Sequence, residues 1–364
     1  MNRTEAQLIT ELQSLGLRLE DAESGMAVRR GGAGPSDHKA VTLGGKTIMV
    51  PIAIAGAINS PFIASRPDEH GISIIRRDGR AIDSIAFPRQ PRFYGLKTED
   101  GVPYSHIATL HAADVLATTV LQSCIRYSNR KKSCQFCAIE QSLKAGLTIL
   151  RKTPEQLAEV ARAAVELDGV KHMVITTGTP NLTDRGAAIL CESAVAVKAA
   201  VDLPIQGQCE PPDDDIWFKR MKDAGIDSLG MHLEAVTPAV RNRIMPGKAS
   251  VPLERYMDAF DAAVAVFGRG EVSTYILAGL GDTAEAVLSV CEQLIGKGVY
   301  PFVVPFIPIT GTPLADHPSP DPRFMQDILQ PLGAMLKQAG LRAADMKAGC
   351  AKCGACSALS SYEA

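Results

Sequence analysis

No apolar run in this chain of 364 residues reaches the roughly 20 residues that a membrane span needs. The opening stretch, MNRTEAQLITELQSLGL, carries two acids and no leader-like apolar core, so a cytoplasmic location is expected. Neither positive nor negative charge is in marked excess. The formal net charge is −2, which leaves no basic excess for nucleic acid or an acidic membrane. A disulfide framework is not expected either, because nine cysteines without a leader argue for a reducing compartment. The hydrophobic content of 46% is ample for a core, in one large domain or one large and one small.

Six of the nine cysteines fall in two clusters. Cys191, Cys209 and Cys291 stand alone and read as small buried hydrophobes. The first cluster is the loop CIRYSNRKKSCQFC, in which Cys124, Cys134 and Cys137 form C-x9-C-x2-C. It follows DVLATTVLQ (Asp114–Gln122), an apolar, partly β-branched run of the kind that makes a buried parallel strand. The cysteines therefore stand at the C-terminal end of a strand, where α/β folds place their chemistry. Three thiolates are one short of closing a tetrahedral site, and on a [4Fe–4S] cluster they leave one iron open. Half of a structural zinc site, or incidental thiols, are the blander readings. Arg126, Arg130, Lys131 and Lys132 add four positive charges that could offset a thiolate cluster.

This loop, with Phe136 just before its last cysteine, resembles the radical S-adenosylmethionine (SAM) superfamily. Its usual spacing is C-x3-C-x2-C, and the present loop departs from it by a six-residue insertion. The resemblance implies a [4Fe–4S] cluster on Cys124, Cys134 and Cys137, with SAM on the open iron. The whole chain also resembles a radical SAM family encoded in bacterial nitrilase gene clusters.

In chain order, residues 4–20 read as a short amphipathic helix. Arg29 to Asp37 is a Gly/Pro loop, read as a surface connector. From Ala40 to Tyr104 short apolar segments are broken by Gly44-Gly45 and Asp78-Gly79, which fit two-residue hairpins. Phe93, Tyr94, His106 and His111 are candidate pocket residues, with packing against the barrel the stronger alternative. After Cys137, strands are expected at 172–177, 204–210, 227–234, 272–278 and 300–306. Helices are expected at 153–168, 184–201, 214–224, 253–267, 283–297 and 322–339. The helix at 153–168 starts on an N-cap Thr153 followed by Pro154. The expected architecture is α/β: a partial (β/α)6 TIM-type barrel over 105–340, a small N-terminal β-rich region over 1–104, and a cysteine-rich tail over 341–364.

Each strand end carries polar residues. Thr176-Thr177-Gly178-Thr179 ends the second strand, where relatives by resemblance carry a Gly-Gly-Glu-like segment for the SAM ammonium. Gln206, Gln208 and Glu210 share one face of the third, so they need a polar cavity. Gln208 and Glu210 are candidates for SAM or substrate, and Cys209 points away. Gly230, His232 and Glu234 share a face of the fourth. Glu234 is a site candidate, and His232 is a proton carrier or a packed barrel histidine. Arg241 and Arg243 follow, and the resemblance implies an arginine there for the SAM carboxylate. ILAGLGDT, with Gly279, is similar to a G-x-I-x-G-x-x-E segment that packs on adenine, aspartate replacing glutamate. PITGTPL at the sixth strand end resembles biotin synthase.

The second cluster is Cys350, Cys353 and Cys356 in GCAKCGACSALSSYEA. C-x2-C-x2-C is the tight ligand run of bacterial ferredoxins without its distal cysteine, and an auxiliary iron–sulfur cluster is expected there. A zinc site is the alternative. Ser360-Ser361-Tyr362 resembles the C-terminal Ser-Ser-Tyr of lipoyl synthases, which implies Ser360 or Ser361 as fourth ligand.

The resulting expectation is a radical SAM enzyme acting on a small molecule, amino-acid or nitrile related, with a reducing partner such as flavodoxin or ferredoxin. Sulfur insertion from the auxiliary cluster is a second reading. A third, non-enzymatic reading joins Cys134, Cys137, Cys353 and Cys356 on one zinc ion.

Overall fold

The computed structural model describes residues 4–20 and 36–363. Most of the loop expected at Arg29–Asp37 lies outside them. The first helix, Glu5–Leu15, has a full capping box at Thr4 and Gln7. It is shorter than expected because Gly16, at φ +77°, turns the chain, and Arg18–Leu19 become strand β1. No side chain fits at Gly16, since a Cβ would stand 2.8 Å from Ala57 Cβ.

Six strands make the N-terminal sheet, in order β1-β4-β5-β6-β2-β3. These are β1, β2 (His38–Leu43), β3 (Lys46–Pro51), β4 (Phe62–Ala64), β5 (Ile72–Arg77) and β6 (Arg80–Ala86). Both hairpins turn where Gly44-Gly45 and Asp78-Gly79 stand, with positive φ at all four residues. This is the type I′ geometry that matches strand twist.

The second sheet has seven strands in order β13-β12-β11-β10-β9-β8-β7. They are β7 (Thr109–His111), β8 (Val115–Thr119), β9 (His172–Thr176), β10 (Ile205–Gln208), β11 (Ser228–Gly230), β12 (Val272–Ala278) and β13 (Val299–Pro305). Strands β8 to β13 are parallel and alternate with helices, while β7 is an antiparallel edge on β8. This is the expected α/β half-barrel, with one edge strand more than the pattern predicts. The helices lie at Pro154–Asp168, Ala187–Ala200, Ile216–Asp223, Leu253–Phe267, Ala284–Lys297 and Pro322–Gln338. Strand β11 is shorter than expected. It stops at Gly230, and only an isolated bridge between Glu234 and Ile276 continues it.

The cysteine tail closes the barrel at the N-terminal ends of its strands. Gly349 N donates to His172 Nδ1, Ala348 N to Ser228 Oγ, and Cys350 N to Gln206 Oε1. The N-terminal region pins the tail from outside. Met49 N and Gln13 Nε2 both donate to Ala355 O, at 2.7 and 2.9 Å. Gly333 leaves room for Tyr362, whose carbonyl oxygen would be 2.4 Å from an added Cβ. Among the described residues no helix is long and apolar enough to cross a membrane.

Candidate active site

At the C-terminal ends of the strands, Cys124, Cys134 and Cys137 border one cavity of about 210 Å³. Two glycines seat their loop. A Cβ on Gly178 would stand 1.9 Å from Ser123 O, and one on Gly247 would stand 2.3 Å from Lys132 O. Gln135, between the last two cysteines, donates its N–H to Ile244 O and accepts from Leu314 N of the Gly-Thr-Pro-Leu turn. Burial pushes the Cys134 thiol well up and the Cys137 thiol to about 12, so a bound cation is what would make them thiolates.

The loop's four cations are divided. Arg130, Lys131 and Lys132 face solvent, while Arg126 turns inward and is buried. Its guanidinium pairs with Glu210, which also accepts from Thr179 Oγ1 at 2.6 Å and faces Arg185 Nη1 at 3.7 Å. Burial alone would raise the Glu210 carboxyl, but Lys248, Arg126 and Thr179 together hold it below its ordinary value. Arg126 Nη2 and Glu210 Oε2 are buried and find no hydrogen-bond partner among the described residues. Buried charges left with unused donors and acceptors fit a zwitterionic ligand.

Thr176, Thr177, Gly178, Thr179, Gln208, Glu210 and Glu234 all border this cavity, as does Cys209, which the alternation would have turned away. Strand β10 ends at Gln208, so the two-residue period no longer governs Cys209. Glu234 sits at φ +63°, an uncommon conformation for glutamate, and binds Lys248 Nζ at 2.7 Å. Burial lowers the Lys248 ammonium, but nearby groups, Glu234 first, outweigh it and keep it charged. Lys248 and Arg185 carry no signal in the sequence, and Arg126 reads there only as one charge among four.

Three other expectations are relocated. Arg241 is 2% exposed, donates to the carbonyls of Leu233, Ala235 and Val251, and lies over the Tyr256 ring. Arg243 donates to Leu280 O. Both sit in a helix, Pro238–Ile244, and brace backbone rather than border the cavity. Gly279, at φ +108°, packs against Pro320, and Asp282 caps that helix through Val236 N, Thr237 N and Thr237 Oγ1. The third is His232 as a proton carrier. Burial, then Lys248, lowers it to about 3, so it stays neutral, with Nδ1 accepting from Tyr275 N. Its Nε2 is therefore a donor.

A second cavity, about 330 Å³, runs through the barrel lumen from Phe136 to the tail cysteines. Cys350, Cys353 and Cys356 border it together with Gln208, His232, Glu234, Tyr275 and His111. Most of the remaining wall is apolar, including Val174, Leu277, Val304 and Phe306. Gln208 Nε2 donates to Cys350 Sγ at 3.1 Å, so this residue faces the tail cluster as well as the loop cavity. The tail serines point elsewhere. Ser360 is exposed, and Ser361 Oγ accepts from Lys46 Nζ at 2.9 Å. Phe93 is fully buried as packing, with its ring edge-on to Tyr94. Tyr94, His106 and His111 border a further cavity beside β7.

The single zinc site joining both clusters is not formed. His172, which holds Gly349, and Thr176, beside the loop cavity, are opposite ends of β9, about 13 Å apart by strand rise. Two thiolates on one zinc ion lie within about 4 Å of each other. Among the described residues no three His, Cys, Asp or Glu side chains are gathered around a point that could hold a single metal ion. Cluster ligands are spaced more widely, each on its own iron.

Residues 127–294 match the family model of the Radical SAM superfamily. The matched stretch is just under half of the chain and makes it similar to that superfamily. Among curated relatives, bacteriochlorophyllide c C-7(1)-hydroxylase of Chlorobaculum limnaeum is 28% identical over 53% of this chain and 53% of its own length. Lipoyl synthase of Bacillus subtilis is 27% identical over 46% of this chain and 54% of its own length. The chain spans about half the length of the curated relatives it matches. Among solved structures, methylornithine synthase is similar with a TM-score of 0.48 and 16% identity, over 67% of this chain and 71% of that one.

Proposed function

We propose that the chain is a radical SAM enzyme in which Cys124, Cys134 and Cys137 hold a [4Fe–4S] cluster, SAM occupies the cavity beside them, and a small molecule occupies the lumen. One observation carries this reading: three cysteines border the same cavity as Arg126 and Glu210, of which Nη2 and Oε2 are buried and find no hydrogen-bond partner among the described residues. Arg126 Nη2 suits the carboxylate of an amino acid, and Glu210 Oε2 suits its ammonium. When bound, cluster and SAM supply a one-electron cleavage to methionine and a 5′-deoxyadenosyl radical able to take hydrogen from an unactivated C–H bond.

The protein's own part is positioning and exclusion of water. Thr176–Thr179 and the Gly178 contact form the wall against which SAM would lie. His232 offers a neutral Nε2–H, and the Glu234–Lys248 pair holds its charge still. A largely apolar lumen with a few polar groups suits a small metabolite, such as an amino-acid-like or nitrile-related one. The exposed Arg130, Lys131 and Lys132 beside the loop suit an acidic reductant such as flavodoxin or ferredoxin. A second reading, sulfur insertion from an auxiliary cluster, is favoured by the tail cysteines bordering that same lumen.

The test is anaerobic reconstitution of the wild type beside Cys350→Ala/Cys353→Ala/Cys356→Ala, with iron, sulfide and 5′-deoxyadenosine measured. About eight irons falling to about four, with 5′-deoxyadenosine still formed, is the expected result. Zinc with no iron would overturn the enzyme reading.

A further inference from the structure

We propose that two histidines of opposite tautomer select the molecule in the lumen: its O–H or N–H donates to His38 Nε2, and its carbonyl or other acceptor takes the Nε2–H of His232. This rests on the lumen being the substrate site and names the class of molecule it takes. His38 opens β2, and its Nδ1 lies 2.5 Å from Ser36 O. A carbonyl oxygen only accepts, so Nδ1 carries the proton and Nε2 keeps a lone pair. His232 is fixed the other way, because its Nδ1 accepts from Tyr275 N at 3.1 Å and leaves the proton on Nε2. Burial lowers the two rings to about 4 and about 3, so each keeps one N–H and one lone pair near neutral pH.

The rings stand at different places on the lumen wall. His232 borders both the lumen and the loop cavity, where the proposed SAM site lies. His38 borders the lumen and the cavity beside β7, but not the loop cavity. Ala40, two residues on and so on the same face of β2, packs with Cys353 and Cys356 against Met49, Ala112 and Ala355. The donor end of the ligand is thus set beside the tail cysteines and the acceptor end towards SAM. Neither Nε2 has a hydrogen-bond partner among the described residues. Neighbouring polar groups of the wall are already engaged. Gln13 Nε2 donates to Ala355 O, Gln208 Nε2 to Gln206 Oε1 and Cys350 Sγ, and Glu234 holds Lys248. A ligand that leaves a fixed donor or acceptor of a mostly apolar wall unmet is bound less well, which is the source of selectivity.

The test is equilibrium binding to anaerobically reconstituted protein. The probes are N,N-dimethylamides of ω-hydroxyalkanoic acids, from hexanoic to decanoic, their O-methyl ethers, and plain alcohols of the same lengths. In the wild type the best-bound hydroxy amide should lose about tenfold when its hydroxyl is methylated and about tenfold when its carbonyl is removed, the weight of one hydrogen bond each. His38→Leu should abolish the hydroxyl preference and keep the carbonyl preference, and His232→Phe should do the reverse. His38→Gln, which puts back an acceptor, should bring the hydroxyl preference back. No hydroxyl preference in the wild type, or one that survives His38→Leu, overturns the assignment of His38. No binding by any probe, the plain alcohols included, overturns instead the lumen as the substrate site. Far-UV circular dichroism checks the fold of each variant, and the wild-type ratios decide even where a variant does not fold.

Discussion

Gly178 touches the carbonyl of Ser123 so closely that a Cβ in its place would stand 1.9 Å from the oxygen. The end of β9 and the first cysteine are thus in register through backbone alone. Gly178→Ala should push the loop off the strand. The expected loss is about 1–3 kcal/mol, the usual range for overpacking, with loop iron falling by half or more. Thermal unfolding and iron content check it.

Arg126→Ala leaves Glu210 a buried carboxylate with Thr179 at 2.6 Å and Arg185 at 3.7 Å. Breaking a buried pair typically costs about 3–5 kcal/mol, and the remaining partners reduce this to about 2–4 kcal/mol. SAM binding should weaken at least tenfold, because the same guanidinium is its proposed carboxylate partner. Urea unfolding and equilibrium binding to SAM read the two effects separately.

His232 should show no titration between pH 5 and 8, because burial and Lys248 lower it to about 3. Histidine-selective NMR follows this directly. His232→Phe removes the Nε2–H donor, and substrate turnover should drop about tenfold, the weight of one hydrogen bond. A resonance that titrates near pH 6.5 would show that the ring is not held neutral.

His172 ties the tail to β9 by accepting from Gly349 N, a bond that needs the neutral ring. Burial lowers it from 6.5 to about 4, and Asp114 opposes that shift. Because the folded value lies below the ordinary one, its contribution is fully present above pH 6.5 and is lost as pH falls towards 4. The loss is at most about 3 kcal/mol. Limited proteolysis of the tail should therefore accelerate over that interval, and less so in His172→Gln.

Much of the barrel is legible in the sequence because its signals are local. The helix Leu253–Phe267 and the strand Val272–Ala278 run between the expected residues. Apolar period and the flanking Gly268 both lie within a few residues there. Strand β11 is the counter-example. His232 and Glu234 continue its alternation on paper, yet only Glu234 makes even a bridge, because the chain leaves the sheet at Gly230 and turns through a positive φ. Arg241 and Arg243 are a further case. The resemblance implies an arginine there for the SAM carboxylate, and in the structure nearby carbonyls of the chain take the hydrogen bonds of both.

The sequence by itself determined the α/β alternation, both hairpin turns and the two cysteine runs, each written in neighbouring residues. Only the tertiary structure decided what meets what. It brought Arg126 to Glu210 across 84 residues and His111 to Cys356 across 245. It also put the loop cysteines on one cavity and the tail cysteines on another, with Gln208, His232 and Glu234 bordering both. Such contacts depend on strand order and on which end of the barrel each loop closes. Residue spacing carries neither, since the chain between the partners can be packed in many ways with the same local pattern.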